Sequence, residues 1–345
     1  MARFAVQRKS FGRFETLRLV DTATAAEAAF ALFGATLLSY RIPHKGRLLD
    51  VTDGFQTPEE LESGRGGRAW IMAPFSNRVE GARYVFEGEA HQMPVTDPAR
   101  NAILHGFVHG VTFDVPDEHA DDDSARALFA TSALRPGAFP GYPFAVDVTV
   151  TVGLSDAGLS LEIAGKNVGD RNAPFGCGWH PYFRTSEEGI DRLRLSIPCT
   201  QRIELDPFYI PLEGRAAYAP VESAPELDFR PRRPGDGNVI GGRKLDTAFA
   251  GLVPDPDGWI RTVLEDPENG LRISVLQERG LLHAFTGDTL AARPRRAIAL
   301  EPVAFLTNAF NRPDCQAALT LAPGRSASFR FGVETGSPRD IGGKG

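Results

Sequence analysis

Two ionisable side chains lie in stretches of sequence that are poor in other polar groups. Glu301 follows Ile298, Ala299 and Leu300 in the segment AIALEPVAFLTNAFN. Burial of a carboxylate there would raise its pKa towards neutral, the range in which a general base works. His180 lies in the segment FGCGWHPYF, where an imidazole could act as an acid or a base. From the local sequence alone, Glu301 could equally point to solvent, and His180 could be a packed histidine bonded to a backbone carbonyl.

Metal binding is the other chemistry that these residue types allow. His105 and His109 have the four-residue spacing that could hold a metal on one face of a helix. A glycine follows each histidine, and no acidic or cysteine ligand accompanies them, so we expect no metal site. The motifs GxxxxGK[ST], HExxH and GxSxG are absent, and Gly235-Asp236-Gly237 is expected to be a turn rather than part of a dinucleotide-binding motif. We therefore predict no cofactor.

Arg78 and Asp246 are two further polar candidates, and neither is informative alone. Arg78 in APFSNRVEG could be a surface arginine, and Asp246 in KLDTAFAG could be a turn residue. In chain order, however, the motifs resemble those of the aldose 1-epimerase family: Asn77-Arg78, Leu104-His105-Gly106, Trp179-His180-Pro181-Tyr182-Phe183, Asp246, Glu301-Pro302 and Asn308-Ala309-Phe310-Asn311. The resemblance runs from about residue 30 to about residue 335.

This resemblance implies a fold, a reaction and a set of site residues. The implied fold is an all-β antiparallel sandwich of large sheets (a galactose mutarotase-like supersandwich), with the sugar in an open cleft on the concave face. The implied reaction interconverts the α and β anomers of a free aldose by opening and closing the ring. By position, Glu301 matches the catalytic base and His180 the catalytic acid, so we expect Glu301 as a carboxylate and His180 as an imidazolium. Arg78, His105 and Asp246 match residues that hold the sugar.

Two segments depart from the family pattern. Gly178-Trp179 precedes His180 where many members have Thr-Asn. The segment GLLHAFTG, residues 280–287, stands where many members have a Gly-Leu-Gln sequence. Both segments are expected near the sugar, so they bear on substrate identity more than on the type of reaction.

Three other functions remain open. A hexose-6-phosphate 1-epimerase would need an extra cationic site for the phosphate, and Arg184, just after the His180 motif, is the candidate. A non-catalytic carbohydrate-binding protein on the same fold would have no need of an acid–base pair such as Glu301 and His180. A polysaccharide lyase or hydrolase sharing the fold usually has a further catalytic domain, for which we expect no room in 345 residues.

The elements that must position these residues have the period of β-strands. From Phe144 to Leu154, apolar residues occupy every second position, which is typical of a strand with one buried face. The same pattern resumes from Leu159 to Ile163 after the turn Ser155-Asp156-Ala157-Gly158, which predicts an antiparallel hairpin. Shorter alternating segments are Leu193 to Ile197, Leu271 to Val275 and Ala327 to Val333.

Two other segments favour helices. Thr57-Pro58-Glu59-Glu60 has a capping hydroxyl, a proline at the first helical position and a glutamate three residues on, which predicts a short helix. The alanine-rich stretch from Thr22 to Gly34 also has high helix propensity, whereas Ala35 to Tyr40 favours a strand.

Composition limits the class of partner. The net charge is −6, which argues against nucleic acid or an anionic membrane surface as a partner. The partner that the family resemblance implies is a small sugar. No signal peptide is recognisable, and no apolar run approaches the roughly 20 residues that cross a bilayer. Cys177, Cys199 and Cys315 are odd in number and widely spaced, which favours the reducing cytoplasm over a disulfide-bonded protein. We expect one domain over residues 1–345 and leave the oligomeric state open.

Overall fold

The computed structural model describes residues 2–231 and 237–336, and most of their regular structure is β-strand. In chain order the first strands are β1 (Phe4–Phe11), β2 (Phe14–Asp21), β3 (Glu27–Ala31), β4 (Thr36–His44), β5 (Arg47–Asp50), β6 (Ile71–Met72), β7 (Arg78–Glu80), β8 (Arg83–Phe86), β9 (Glu89–Gln92) and β10 (Ala102–Leu104). The next are β11 (Asp114–Ala120), β12 (Ser124–Leu134), β13 (Val146–Ser155), β14 (Gly158–Asn167), β15 (Ala173–Pro174), β16 (Gly178–Trp179), β17 (Tyr182–Phe183), β18 (Arg194–Ser196) and β19 (Gln201–Ile203). The last are β20 (Tyr218–Pro220), β21 (Asn238–Val239), β22 (Asp246–Ala250), β23 (Ile260–Asp266), β24 (Leu271–Gln277), β25 (Leu281–Phe285), β26 (Ile298–Val303), β27 (Thr320–Leu321) and β28 (Ser326–Gly336).

Three large sheets contain most of these strands. Their strand orders are β1-β2-β3-β4-β5, β11-β12-β13-β14-β28-β24-β23-β18-β21, and β20-β19-β22-β25-β26-β16-β6, with β17 also paired to β26. Within the described residues, all pairs of these strands are antiparallel. The predicted turn at Gly235-Asp236-Gly237 lies, for its first two residues, outside the described residues.

The large sheets pack against one another through a shared apolar core. Trp179 of β16 stacks on Phe331 of β28, with ring centroids 5.4 Å apart, and so joins the eight-stranded sheet to the nine-stranded one. Phe30 of β3 contacts Phe129 of β12, which joins the five-stranded sheet to the same core. The predicted all-β antiparallel sandwich is confirmed.

The period-two segments lie where the sequence predicted strands. β13 and β14 form the expected hairpin, with Ser155 paired to Gly158 at its turn. On β13, the valines at positions 146, 148, 150 and 152 are fully buried, while the alternate residues are half-buried. The three shorter alternating segments correspond to β18, β24 and β28.

The capping motif at Thr57 also forms the expected helix, α1 (Pro58–Ser63). The Thr57 hydroxyl oxygen accepts a hydrogen bond from the backbone N–H of Glu60 at 3.2 Å. The Glu60 carboxylate in turn accepts from the backbone N–H of Gln56 at 2.9 Å, one residue before the cap. A second helix, α2 (Pro313–Leu319), was not predicted. No helix in the described ranges is long and apolar enough to cross a membrane.

The helix expected from Thr22 to Gly34 is wrong. Glu27–Ala31 is β3, which pairs with β2 on one side and β4 on the other. All four residues from Ala28 through Ala31 are buried. Pairing on both edges and burial between neighbouring layers outweigh the helix propensity of alanine, which is a weak preference of less than about 1 kcal/mol per residue.

Candidate active site

Three neighbouring strands of the eight-stranded sheet carry ionisable side chains on one face. Leu282 of β25 and Leu300 of β26 lie in the apolar core. Because side chains alternate along a strand, the adjacent His283 and Glu301 face the opposite side. His283 is directly opposite Glu301 in the register of β25 and β26. Asp246, on β22, accepts a hydrogen bond from His283. The distance between Oδ1 of Asp246 and Nε2 of His283 is 2.8 Å. Asp246, His283 and Glu301 thus form a row, called here the ionisable row.

His180 lies beside this row, between β16 and β17. Its backbone N–H donates to the carbonyl of Trp70 at 3.0 Å, and its own carbonyl accepts from the N–H of Ala69 at 2.8 Å. β16 approaches β26 so closely that a Cβ at Gly178 would lie 2.9 Å from a backbone oxygen of β26, which explains the glycine at this position. The result is a distance of 3.3 Å between Nε2 of His180 and Oε1 of Glu301.

A two-stranded ribbon, β7 and β10, brings Arg78 and His105 to the same place. Asn77 and His105 both have left-handed backbones, with φ of 55° and 61°. The N–H of His105 donates to the carbonyl of Asn77 at 2.9 Å, and the N–H of Asn77 donates to Nδ1 of His105 at 3.2 Å. Burial holds the pKa of His105 well below its usual value, so the ring is neutral. Since Nδ1 accepts a hydrogen bond, the proton is on Nε2 and that nitrogen is a donor.

Asn308, in the loop after β26, ties this ribbon to the sheet. Its N–H donates to the carbonyl of Arg78 at 2.8 Å, and its side-chain oxygen accepts from the N–H of Glu80 at 3.1 Å. Its φ of 64° is a conformation that asparagine tolerates better than most residues. One residue therefore links the strand that carries Glu301 to the strand that carries Arg78.

These groups line one cleft with a volume of about 250 Å³. The volume lies just below the range of about 300–1,000 Å³ that is usual for small-molecule pockets, so the cleft suits a small ligand. Trp70, Tyr182 and Phe285 add flat apolar surfaces to its lining. The ring of Trp70 is held by His109, which stacks on it with centroids 3.8 Å apart and an interplanar angle of 9°.

Burial has opposite effects on the two groups that are 3.3 Å apart. The side chain of Glu301 is almost fully enclosed, and burial raises its pKa to about 7, although the nearby His283 lowers it in part. Burial also lowers the pKa of His180 to about 3, so the neutral imidazole is favoured at neutral pH. The two groups are close enough to share one proton, and burial favours the form in which that proton is on Glu301. This differs from the expectation of an imidazolium at His180.

In the pair formed by His283 and Asp246, by contrast, the charged form of each group is favoured. Despite burial, the neighbouring carboxylates of Glu301 and Asp246 raise the pKa of His283 above its usual value. The hydrogen bond from His283 outweighs the burial of Asp246 and lowers the pKa of that carboxyl group. His283 and Asp246 therefore stabilise each other's charged forms within the row.

Comparisons with known proteins identify the family of this chain and show the same fold in solved structures. The family model described as aldose 1-epimerase matches residues 16–334. The chain belongs to the aldose 1-epimerase family. It is 26% identical over 271 residues to the uncharacterized protein YihR of Escherichia coli strain K12, a match that covers 78% of this chain and 76% of YihR.

Solved structures share the fold. A galactose mutarotase-like protein of Clostridium acetobutylicum superposes with a TM-score of 0.82 at 15% identity, over 97% of this chain and 99% of the other. A galactose 1-epimerase of Lactobacillus acidophilus superposes with a TM-score of 0.77 at 18% identity, over 98% of this chain and 99% of the other. The aldose 1-epimerase family fold therefore extends over nearly the whole chain.

The cleft contains all five residues that the resemblance to the aldose 1-epimerase family singled out, Arg78, His105, His180, Asp246 and Glu301. Arg184 lies elsewhere: its Nε donates to the carbonyl of Thr52 at 2.8 Å, and it pairs with Glu187. His105 and His109 are not on a common helix, and no cluster of three or more His, Cys, Asp or Glu suited to a metal occurs in the described part of the chain.

Two ionisable residues that line the cleft were missed in the sequence. His283 lies in the segment that departs from the family pattern, and Arg100 lies in a loop without any motif. The alternation of residues 281–285 contained a usable signal for His283, because its neighbours Leu282 and Ala284 have the parity of core residues. No local pattern marks Arg100, since only the folding of the loop brings it to the cleft.

Proposed function

We propose that this protein is an aldose 1-epimerase that interconverts the α and β anomers of a free aldose. The observation that carries the proposal is the contact between Glu301 and His180, 3.3 Å apart at the floor of a cleft lined by further polar side chains. Mutarotation needs proton transfers at two oxygens that are both bonded to C1, the hydroxyl oxygen and the ring oxygen. Two adjacent acid–base groups can reach both oxygens from one side of the sugar.

The proposed steps are balanced in protons. The Glu301 carboxylate takes the proton of the C1 hydroxyl while protonated His180 gives a proton to the ring oxygen, and the bond between C1 and the ring oxygen breaks. The open-chain aldehyde rotates about the C1–C2 bond, and the reverse transfers close the ring on the other face. The pair must therefore hold one proton in total, and the active form is the one with that proton on His180.

The remaining polar residues of the cleft hold the sugar. The Nε2–H of neutral His105 and the guanidinium of Arg78 are donors, and Asp246 is an acceptor whose side chain is 30% exposed to the cleft. Trp70, Tyr182 and Phe285 offer apolar surfaces to the C–H faces of the ring. Holding the ring hydroxyls while C1 rotates is the positioning part of the rate gain.

Polarimetry tests this function directly. The purified protein is added to freshly dissolved α-galactose or α-glucose, and the rate of change of optical rotation is compared with the spontaneous rate in the same buffer. We expect a faster approach to the same final rotation. A protein that binds these sugars without accelerating the change would instead be the non-catalytic carbohydrate-binding protein considered above.

We propose further that the enzyme is a cytoplasmic protein with one domain over residues 1–345. One apolar core cluster includes residues from Phe4 to Val333, which supports a single folding unit. Cys177, Cys199 and Cys315 are all free and buried, which fits a reducing compartment.

A hexose-6-phosphate substrate is the second candidate, and a different arginine from Arg184 favours it. Arg78 and Arg100 both line the cleft, and both lie over the ring of Tyr209, at 5.3 and 4.5 Å from its centroid. Among the described residues, Asp97 is the one carboxylate within 4.0 Å of either guanidinium, at 3.1 and 3.6 Å. The guanidinium groups of Arg78 and Arg100 thus share one carboxylate at this side of the cleft. The positive charge that Asp97 does not neutralise could bind an anionic group on the sugar.

Replacing Arg100 by Gln separates the two candidates. If the natural substrate carries a phosphate, we expect R100Q to raise KM for glucose 6-phosphate about tenfold or more, because a hydrogen bond to a charged group is lost. KM for glucose should change much less. Equal effects on both sugars, or faster wild-type turnover of the free sugar, would leave the free aldose as the substrate.

The proposed mechanism uses no metal, so exhaustive chelation should leave activity intact. The protein is dialysed against EDTA, its metal content is measured by mass spectrometry, and mutarotation is assayed before and after. Activity that is lost on chelation and restored by zinc or another metal would contradict the mechanism and point to a site that includes His105.

A further inference from the structure

His283 is a buried residue of the cleft that the proton transfers described above do not use. It lies on β25, between Asp246 on β22 and Glu301 on β26. Asp246 is 2.8 Å from its Nε2, and Glu301 is its direct cross-strand partner. Directly opposed residues of an antiparallel pair have their Cβ atoms about 4.5–5.5 Å apart, so an ionised His283 acts on Glu301 at short range.

We propose that His283 is a positioning residue whose imidazolium, fixed by Asp246, holds Glu301 in the carboxylate form that takes the sugar proton. This inference rests on the proposed function, because it specifies how the base of that reaction is kept ionised.

The two carboxylates of the ionisable row are stabilised as anions by a cation between them. Asp246 and Glu301 are on the same face of the sheet, two strands apart, and burial and the charge of Asp246 both raise the pKa of Glu301. Without a cation between them, the pKa of Glu301 would be higher still, and less of the group would be the carboxylate that accepts a proton. His283 supplies the missing cation, and its own ionisation is maintained by the two carboxylates.

The other basic groups near His283 are less suited to be the cation that keeps Glu301 ionised. Arg78, from the ribbon, also lowers the pKa of Glu301 but pairs with Asp97 at 3.1 Å. His105 and His180 face the same space and are neutral, because burial lowers the pKa of both. The titratable groups that interact electrostatically with His283 include Asp246 from β22, Glu301 from β26, Arg78 and His105 from the ribbon and its end, and His180 from between β16 and β17.

The charge of His283 also decides where the shared proton resides. Glu301 and His180 hold one proton between them, and the charge of His283 lowers the pKa of both groups. We expect the larger effect on Glu301, the direct cross-strand partner of His283, and therefore a shift of the proton towards His180. The form with the proton on His180 is the active form of the pair. The residue therefore acts on the reaction through Glu301, without touching the sugar atoms that react.

The test measures the ionisation of Glu301 itself. Protein labelled with ¹³C at the glutamate side-chain carboxyl is titrated by NMR, and the Glu301 signal is assigned by its absence in E301Q. In wild type we expect this signal to titrate near pH 7. In H283Q, which keeps a hydrogen-bond donor for Asp246 but has no charge, we expect the midpoint to rise by about 1–3 pH units. H119Q, which removes an exposed histidine, is the matched control and should leave the midpoint unchanged.

Kinetics provides the second readout. Because the pair must hold one proton, activity should fall as pH rises through the pKa of Glu301, and in H283Q this alkaline limb should move up by the same amount as the NMR midpoint. The kcat of H283Q should fall at least about tenfold, since less of the pair is in the active form. A lower kcat with an unmoved limb would assign His283 a purely structural role and overturn the inference, as would an unmoved NMR midpoint.

The two proposals can fail separately. If wild type accelerates the mutarotation of no sugar, the proposed function fails, yet the NMR comparison still measures whether His283 controls Glu301. If wild type is active and H283Q leaves the titration of Glu301 unchanged, only the inference about His283 fails.

Discussion

We expect Glu301→Gln to lower kcat for mutarotation by at least about 100-fold, the lower end of what a positioned acid–base group contributes. Glutamine keeps the size of the side chain but cannot accept a proton from the C1 hydroxyl. KM should change much less, because Arg78, His105 and Asp246 still hold the sugar. The spontaneous rate in water must be subtracted, since it sets the floor of the measurement.

The matched control is Glu162→Gln on β14, a half-buried glutamate of the nine-stranded sheet outside the cleft. It makes the same chemical change without altering the proposed base, so its kcat should stay near that of wild type. Thermal unfolding of both variants should confirm that the sheet is intact. If E301Q kept near-wild-type kcat on every aldose tested, Glu301 would not be the base.

The second large effect is expected at His180. His180→Asn should lower kcat by a similar factor, because the ring oxygen loses its proton donor while the cleft keeps its shape. The double variant E301Q/H180N should be little slower than either single variant, since both transfers belong to one ring-opening event and groups that act as a unit show non-additive losses. His91→Asn, at a buried histidine stacked on Tyr84 away from the cleft, is the control.

Additive rate losses in the double variant would contradict the pairing of Glu301 and His180. If each substitution multiplied the rate loss of the other, Glu301 and His180 would act in separate steps. The 3.3 Å contact between them would then be a packing contact rather than a shared proton. The comparison therefore tests the pairing of the two groups as well as the importance of each one.

Local patterns in the sequence predicted the strands well where alternation was long. The hairpin of β13 and β14 follows from valines at every second position, because a strand with one buried face has no other way to place them. Glu301 was found because a carboxylate in apolar sequence is conspicuous, and its enclosure in the structure agrees with that reasoning. Both features are properties of short segments.

What the sequence could not predict depends on contacts between distant segments. The alanine-rich β3 became a strand because β2 and β4 pair with its two edges. The charge of His283 depends on Asp246, 37 residues earlier in the chain, and the neutral state of His180 depends on layers that bury it. The resemblance to a family identified five cleft residues, but the burial that favours a neutral His180 could not be predicted from it.

The floor of the cleft and its side wall come from different pieces of backbone, and this has a consequence for divergence between related enzymes. Glu301 and His180 are fixed by pairing within one sheet, whereas Arg78 and His105 depend on a separate ribbon that Asn308 anchors. Mutations in the ribbon can alter which sugar is preferred while leaving the spacing of the two reacting groups intact. For the proposed epimerase, one copy of a duplicated gene can therefore acquire a preference for a new sugar while both proton-transfer groups stay in place.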